Sequence, residues 1–314
     1  MQAMAETPPA PWREETFATR LAPPHFQGQI RTTPEDFVVT ETLPVEPGAG
    51  GEHLYLYVTK VRANTGWVAE QLAAIAGVSR QDVGYAGRKD RHAVVHQWFS
   101  IYLPGSAEPD WADFHAEDVT IEKICRHQRK LRPGDLAYNQ FHISVRYAAA
   151  RGAALEDVAQ RLDQIQQEGF PNYFGYQRFG RDLHNLERAD NLLRLRQRQG
   201  GDRGMLMSAA RGWLFNIGLS DCLAAGDSRV SGPLFGKSRD PQLGEEALCE
   251  VYAGWVAGLR RLGAKVGERP LIVLPVNLTW EINETVTHLS FRLPAGSYAT
   301  SLLREVFVVE DLAA

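Results

Sequence analysis

The chain has 314 residues, of which 44% are hydrophobic and 23% charged, so it can bury a substantial core and is far from a disordered or collagen-like composition. Cys125, Cys222 and Cys249 are too few and too scattered for a disulfide-stapled scaffold or a four-ligand zinc site. With 34 basic against 38 acidic residues the net charge is −4, which gives no global sign of a polyanionic partner and leaves any such contact to local clusters.

The N-terminus lacks a basic start followed by an apolar run, and no stretch approaches the roughly 20 apolar residues of a membrane span. A cytoplasmic chain with no membrane partner is expected. Residues 1–25 hold Pro8, Pro9, Pro11, Pro23 and Pro24 and read as an extended lead-in. Strand patterns follow at Phe37 to Glu41, Leu54 to Val58 and Trp98 to Leu103. Between the last two, Val68, Leu72 and Ile75 share a helical face, with Thr65 as N-cap and Gly77 as the stop.

Phe141, Ile143 and Val145 alternate with His142, Ser144 and Arg146, the pattern of a half-buried strand. Leu155, Val158, Leu162 and Ile165 form a helical stripe ending at Gly169. Further helices are expected from about Ser208 to Ala225, and through Leu248, Val251, Tyr252, Trp255, Leu259 and Leu262, with Asp240-Pro241 as a start upstream. The chain closes on a strand, Thr287 to Leu293, a Pro-Ala-Gly turn and a short helix, Tyr298 to Val306. Strands at both ends and helices between them predict a sheet domain interrupted by a helical insertion.

Four segments carry chemistry-bearing side chains. In GYAGRKDRHAVVHQWFS, Gly84 to Ser100, Asp90 stands among Arg88, Lys89 and Arg91. Cations favour the ionised form of a neighbouring carboxylate, which suits a nucleophile or base, and they suit a polyanionic substrate. The plain alternative is a solvated charged turn. RTTPEDFVVTE, from Arg31, joins a cation to a Pro-Glu-Asp turn; Arg31 either orients a catalytic carboxylate or flanks ordinary turn chemistry. EKICRHQRKLRPG holds Lys123, Arg126, Arg129, Lys130 and Arg132 against Glu122 alone, and is either a phosphate contact or a solvated face. GFPNYFGYQRFG interleaves five aromatics with Asn172, Gln177 and Arg178, as a base-stacking surface or a packed hinge. His92 and His96 lack a third metal ligand.

Together these segments, with HLYLYVTKVRANT, YNQFHISVR, SAARGWLFN, SGPLFG and FRLPAGSYATSLLREVF, resemble the TruD family of tRNA pseudouridine synthases, in family order from about residue 31 to 307. The resemblance implies an α+β pseudouridine synthase fold: a mixed, largely antiparallel central sheet interrupted by a mostly helical insertion that forms the other wall of an RNA-binding cleft. The expected division is a lead-in (1–25), a catalytic domain (26–170 plus 276–314) and an insertion domain (171–275). It further implies Asp90 as the essential catalytic aspartate, Arg31 as the basic residue beside it, and Phe141 with Asn139 as the element that stacks on the target base. Lys89, Arg91, Arg178 and the five cations between Lys123 and Arg132 complete the expected substrate contacts. No cofactor and no metal are implied; the partner is tRNA, with uridine 13 as target, and the chain acts as a monomer with no obligate protein partner.

Isomerising uridine breaks the N-glycosidic bond, turns the uracil and joins C5 to C1′ without redox change. Asp90 serves either by attacking the sugar or by removing a ribose proton, and both routes need its carboxylate ionised. The target base must leave its stack, a cost that an aromatic platform offsets. Two other classes fit parts of the pattern: a non-catalytic RNA-binding module, and a metal-dependent nuclease using Asp90, Glu35 and Asp36. The acidic residues gather at Glu108, Asp110, Asp113, Glu117 and Asp118 and at Glu305, Glu310 and Asp311, which predicts a basic cleft on an otherwise acidic surface.

Overall fold

A computed structural model describes residues 17–44, 46–48, 50–105, 108–197, 203–237 and 246–313. In chain order the first elements are β1 (Gln27–Ile30), β2 (Phe37–Thr42), β3 (His53–Val61), α1 (Thr65–Ile75), β4 (Val83–Tyr85), β5 (Val94–Tyr102), β6 (Val119–His127), β7 (Tyr138–Arg146) and α2 (Ala153–Glu168). Then come β8 (Phe170–Pro171), α3 (His184–Leu193), α4 (Arg203–Ala225), β9 (Ser231–Leu234), α5 (Glu246–Val251), α6 (Ala253–Arg261), β10 (Gly267–Pro270) and β11 (Ile272–Val273). The last are β12 (Val276–Ile282), β13 (Val286–Leu293), α7 (Ala299–Val306) and β14 (Val308–Asp311). No helix among the described residues is long and apolar enough to cross a membrane.

The chain divides into two compact units. The described residues of the sheet unit fall in 25–166, 275–296 and 307–313, and those of the helical unit in 17–24, 167–274 and 297–306. The sheet runs β12-β13-β7-β2-β5-β3-β6, with β4 on β5 and β1 on both β14 and β7. Its pairs are antiparallel except β2 with β5 and β1 with β14, so it is the mixed, largely antiparallel sheet expected. Alternation sets which side chains face inward: Phe141, Ile143 and Val145 on β7 are buried and align with Phe291, Leu289 and Thr287 of β13. The stripe of α1, with Val68, Leu72 and Ala69, packs with Leu54, Leu56 and Val58 of β3 and Phe99 and Ile101 of β5.

Several elements differ from the sequence pattern. Asn64, with extended backbone, caps α1, and Thr65 is its first helical residue. The single helix expected around Trp255 breaks at Tyr252 into α5 and α6, because Tyr252 leaves helical backbone geometry at φ −106° and ψ 28°. The expected start at Asp240-Pro241 lies outside the described residues. The basic stretch from Lys123 to His127 is part of a strand, β6.

The helical unit has its own core, built on α3, α4 and α6 through Leu186, Leu193, Leu206, Leu214, Trp255 and Leu259. The lead-in joins it from Phe17, whose ring stacks on Tyr173 at 5.4 Å. Helix α7, expected with the sheet, belongs to this unit: its buried face carries Leu302, Leu303 and Val306. Its buried Glu305 carboxylate accepts the Arg20 and Leu21 backbone N–H groups at 2.9 and 3.0 Å, which ties the lead-in down.

Candidate active site

The loop that carries Asp90 is held on one face of the sheet by polar side chains that replace apolar ones at inward positions. Gln97 of β5 donates to the Gly87 carbonyl at 3.1 Å. Thr65 of α1 donates to Gln97 Oε1 and accepts the Lys89 N–H, both at 3.0 Å. Glu41 of β2, with a fully buried side chain, pairs with the Lys89 ammonium and accepts the Trp98 N–H at 3.0 Å. Lys60 of β3 donates to the backbone carbonyl of Asp90 at 2.8 Å. The loop is thus held by four side chains from four elements, three of them on its backbone and Glu41 on the Lys89 ammonium, and the Asp90 carboxylate takes a fifth partner.

That partner is Arg31. It follows β1 with φ 56°, a left-handed conformation costing a non-glycine residue about 1–2 kcal/mol. From this turn its guanidinium donates Nη2–H to Asp90 Oδ2 at 2.7 Å and Nη1–H to Asp311. Charge-assisted hydrogen bonds of about 1.5–3 kcal/mol each outweigh the strain. The guanidinium also lies 4.3 Å from the Phe37 ring centroid. Phe37 meets Phe141 edge-on at 6.2 Å, and Phe141 stacks on Phe291 at 5.4 Å. Arg31, Asp90 and Phe141 are therefore joined through Phe37. Asn139 lies opposite Glu41 in the β2–β7 register, and its buried Oδ1 has no hydrogen-bond donor among the described residues.

Sequence reading missed Asp311, which the parallel pairing of β14 with β1 sets beside Ile30. It also missed Glu41, Gln97 and Lys60, whose signal was available: each continues an inward apolar row, after Val39, Val95 and Val58 respectively.

The remaining expected contacts are arranged differently. Lys89 turns inward onto Glu41, which makes it a holder of the loop. Exposed Arg91 donates to the Arg62 carbonyl at 3.1 Å. Of the five cations from Lys123 to Arg132, Lys123 and Arg126 lie on β6 and the other three follow it, and each is engaged locally. Lys123 lies 5.7 Å from the Tyr57 ring centroid, Arg126 pairs with Glu108 at 2.8 Å and Arg129 with Asp135 at 2.8 Å. Lys130 donates to the Gln81 carbonyl, and the Arg132 N–H to Asp135 at 2.8 Å. Glu108 and Asp311 each pair with a cation, so these two acidic residues are not segregated from the basic ones.

The trio Asp90, Glu35 and Asp36 is not assembled. Asp36 is buried and takes the Arg146 guanidinium in a bidentate pair at 2.7 and 3.0 Å. Glu35 lines a groove of about 360 Å³ with His142, Trp280 and His288, on the sheet face opposite Phe141. Among the described residues no three His, Cys, Asp or Glu side chains are grouped to hold a metal.

In the helical unit, Arg178 donates to the Tyr298 hydroxyl at 3.0 Å and to Ser208, and stacks over Phe174 at 4.4 Å. Arg269, its pKa pushed down to about 10 by burial and then by Arg178, lies 4.0 Å from the same ring and donates to the Asn172 carbonyl at 3.0 Å. A Cβ at Gly175 would stand 2.9 Å from Tyr298 Cδ1 and 3.1 Å from Thr300 Oγ1. Gly175→Ala is expected to cost about 1–3 kcal/mol by overpacking, read as a lowered unfolding midpoint; an unchanged midpoint would show that Tyr298 yields freely.

Comparison with known proteins bears on the whole chain. Residues 15–194 match the model of the family described as tRNA pseudouridine synthase D (TruD). A tRNA pseudouridine synthase D of Cellvibrio japonicus is 41% identical over 299 residues, covering 88% of each chain. The one from Aeromonas hydrophila is 37% identical with 95% of each chain covered. A crystal structure from Methanosarcina mazei carrying the same family name, 21% identical, superposes with a TM-score of 0.63 over 92% of this chain and 95% of that one, a likeness of fold. Family model and relatives agree, and the chain belongs to the tRNA pseudouridine synthase D (TruD) family of isomerases.

Proposed function

We propose that this chain converts uridine 13 of tRNA to pseudouridine, with Asp90 as the catalytic carboxylate and no cofactor. The observation that carries the reading is the 2.7 Å bond from Arg31 to Asp90, which aims a carboxylate that the loop contacts hold from behind. Arg31 presents a planar fork, so it orients Asp90 while spanning to Asp311, which a lysine could not do with the same geometry. The buried Asn139 Oδ1, with no donor among the described residues, suits the N3–H of a uracil. Phe141 supports the base from the same sheet face, and Arg91, Arg178 and the exposed cations near Arg129 and Arg132 meet RNA phosphates. The enzyme acts as a monomer in the cytoplasm.

Incubating an unmodified tRNA transcript with the protein in EDTA and mapping pseudouridine by carbodiimide labelling tests this. One new stop at position 13 without strand cleavage is expected; binding without modification would favour an RNA-binding module, and metal-dependent cleavage a nuclease.

Phe141 is 6% exposed, so truncation to Ala would damage the core as well as the platform. Phe141→Leu keeps most of the bulk and removes the π face. It should lower kcat by about 5- to 150-fold if base stacking is worth about 1–3 kcal/mol. Wild-type kinetics in this variant would place the stacking surface elsewhere.

A further inference from the structure

We propose that Lys60 is a positioning residue for the reaction, its buried ammonium clamping the main chain of Asp90 so that the carboxylate points at the sugar. The proposal rests on the reading of Asp90 as the catalytic group.

Lysine is rarely found fully buried without an ion pair, because removing an ammonium from water costs several kcal/mol. Lys60 is 0% exposed. Its Nζ donates to two backbone carbonyls, those of Ala63 and Asp90, each at 2.8 Å. A methionine or leucine here would continue the inward row of Leu54, Leu56 and Val58 at no electrostatic cost. A structural tie between β3 and the start of α1 needs only the Ala63 bond. The second bond ends on the one residue whose side chain is the reacting group, and displacing that residue by about 1 Å costs on the order of 10²-fold in rate.

The cross-strand register places Lys60 in the same row as Phe291, Phe141, Val39 and Val95. A carbonyl anchored from that row is tied to the strand set that carries Phe141. Arg31 then fixes the carboxylate and Lys60 the backbone, so the Asp90 side chain has few degrees of freedom left to find its angle of attack.

The charged groups acting on Lys60 are Asp90 and Lys89 on the loop and Glu41 on β2. Burial, with help from Lys89 and against Asp90 and Glu41, pushes its pKa down to about 8. Below that value the clamp is charged and its hydrogen bonds are charge-assisted; above it they are ordinary amine bonds of about half the strength. The linkage sign differs from that of unfolding. Between about 8 and the ordinary lysine value of 10.5 the unfolded chain holds more protons, so this group's contribution to stability rises with pH while the clamp weakens.

The test is single-turnover kinetics of wild type, Lys60→Met and Asp90→Asn on one tRNA from pH 6.5 to 8.8, with tRNA binding and unfolding midpoints measured alongside. Wild-type turnover should fall through a midpoint near 8. Lys60→Met should turn over about 10- to 100-fold more slowly, with binding within about threefold of wild type and a flat profile across the range. Wild-type rate in Lys60→Met, or a parallel decline in both proteins, overturns the proposal. Should Lys60→Met fail to fold, Lys60→Gln, whose shorter neutral amide cannot reach both carbonyls, is measured in its place, and a wild-type rate in that variant contradicts the proposal. Turnover by Asp90→Asn would instead remove the reading on which the clamp rests, whereas an inactive Asp90→Asn beside a normal Lys60→Met removes the clamp only.

Discussion

Asp90→Asn is expected to bind tRNA as the wild type does and to lose turnover by at least about 10⁴-fold, roughly 5 kcal/mol of transition-state stabilisation. The substitution is nearly isosteric. Lys60 contacts the backbone carbonyl of residue 90, and that bond survives, while Arg31 keeps Asp311 as a partner. The fold of the loop should therefore persist with the reacting group gone. Filter binding and single-turnover kinetics on the same preparation separate the two effects. Parallel loss of binding and turnover would mean that Asp90 holds the site together and does no chemistry of its own.

The largest expected effect on stability comes from Glu41→Ala. Glu41 is fully buried at its side chain and Lys89 is 10% exposed, so removing the carboxylate leaves an ammonium without its counter-charge in the sheet interior. Breaking a buried pair from one side costs about 3–5 kcal/mol, which for a unit of this size lowers the unfolding midpoint by roughly 6–20 °C. The double variant Glu41→Gln with Lys89→Met should recover most of that loss, because no charge is then stranded. A midpoint unchanged in Glu41→Ala would show that Lys89 reaches solvent readily and that the pair does not pin the loop.

Strand alternation made much of the sheet readable: the parity of Phe141, Ile143 and Val145 assigns the buried face of β7 without further information. The same parity fails around the loop that carries Asp90. Glu41, Gln97, Lys60 and Asn139 occupy inward positions that an apolar rule assigns to aliphatics, and all four are buried near the loop that carries Asp90. Local inconsistency of this kind is the expected mark of a working site. Motifs single out Arg31 and Asp90 as candidates, but Asp311 was beyond reach, since only the parallel pairing of β14 with β1 brings residue 311 beside residue 30. The cations from Lys123 to Arg132 show a different limit. A run of like charge looks continuous in one dimension, yet only Lys123 and Arg126 lie on β6, and Glu108 and Asp135 pair with two of the arginines. Charge is a property of position in space, and sequence distance is a poor proxy for it once strands intervene.

Helix α7 shows a further limit. Its pattern is strongly amphipathic and its existence was plain, but periodicity does not say which core its apolar face meets. The pins supplied by Glu305 and Ser301, to the lead-in and to the Tyr173 carbonyl at 3.0 Å, are long-range and were invisible.

The most direct measurement is release of tritium from tRNA carrying 5-tritiated uridine, because joining C5 to C1′ expels the hydrogen at C5 whichever role Asp90 takes. Wild-type protein should release one tritium per tRNA without strand cleavage, and Asp90→Asn none on the same timescale. Absence of release by the wild type, or equal release by the two proteins, would contradict the assignment of pseudouridine formation to the Asp90 site.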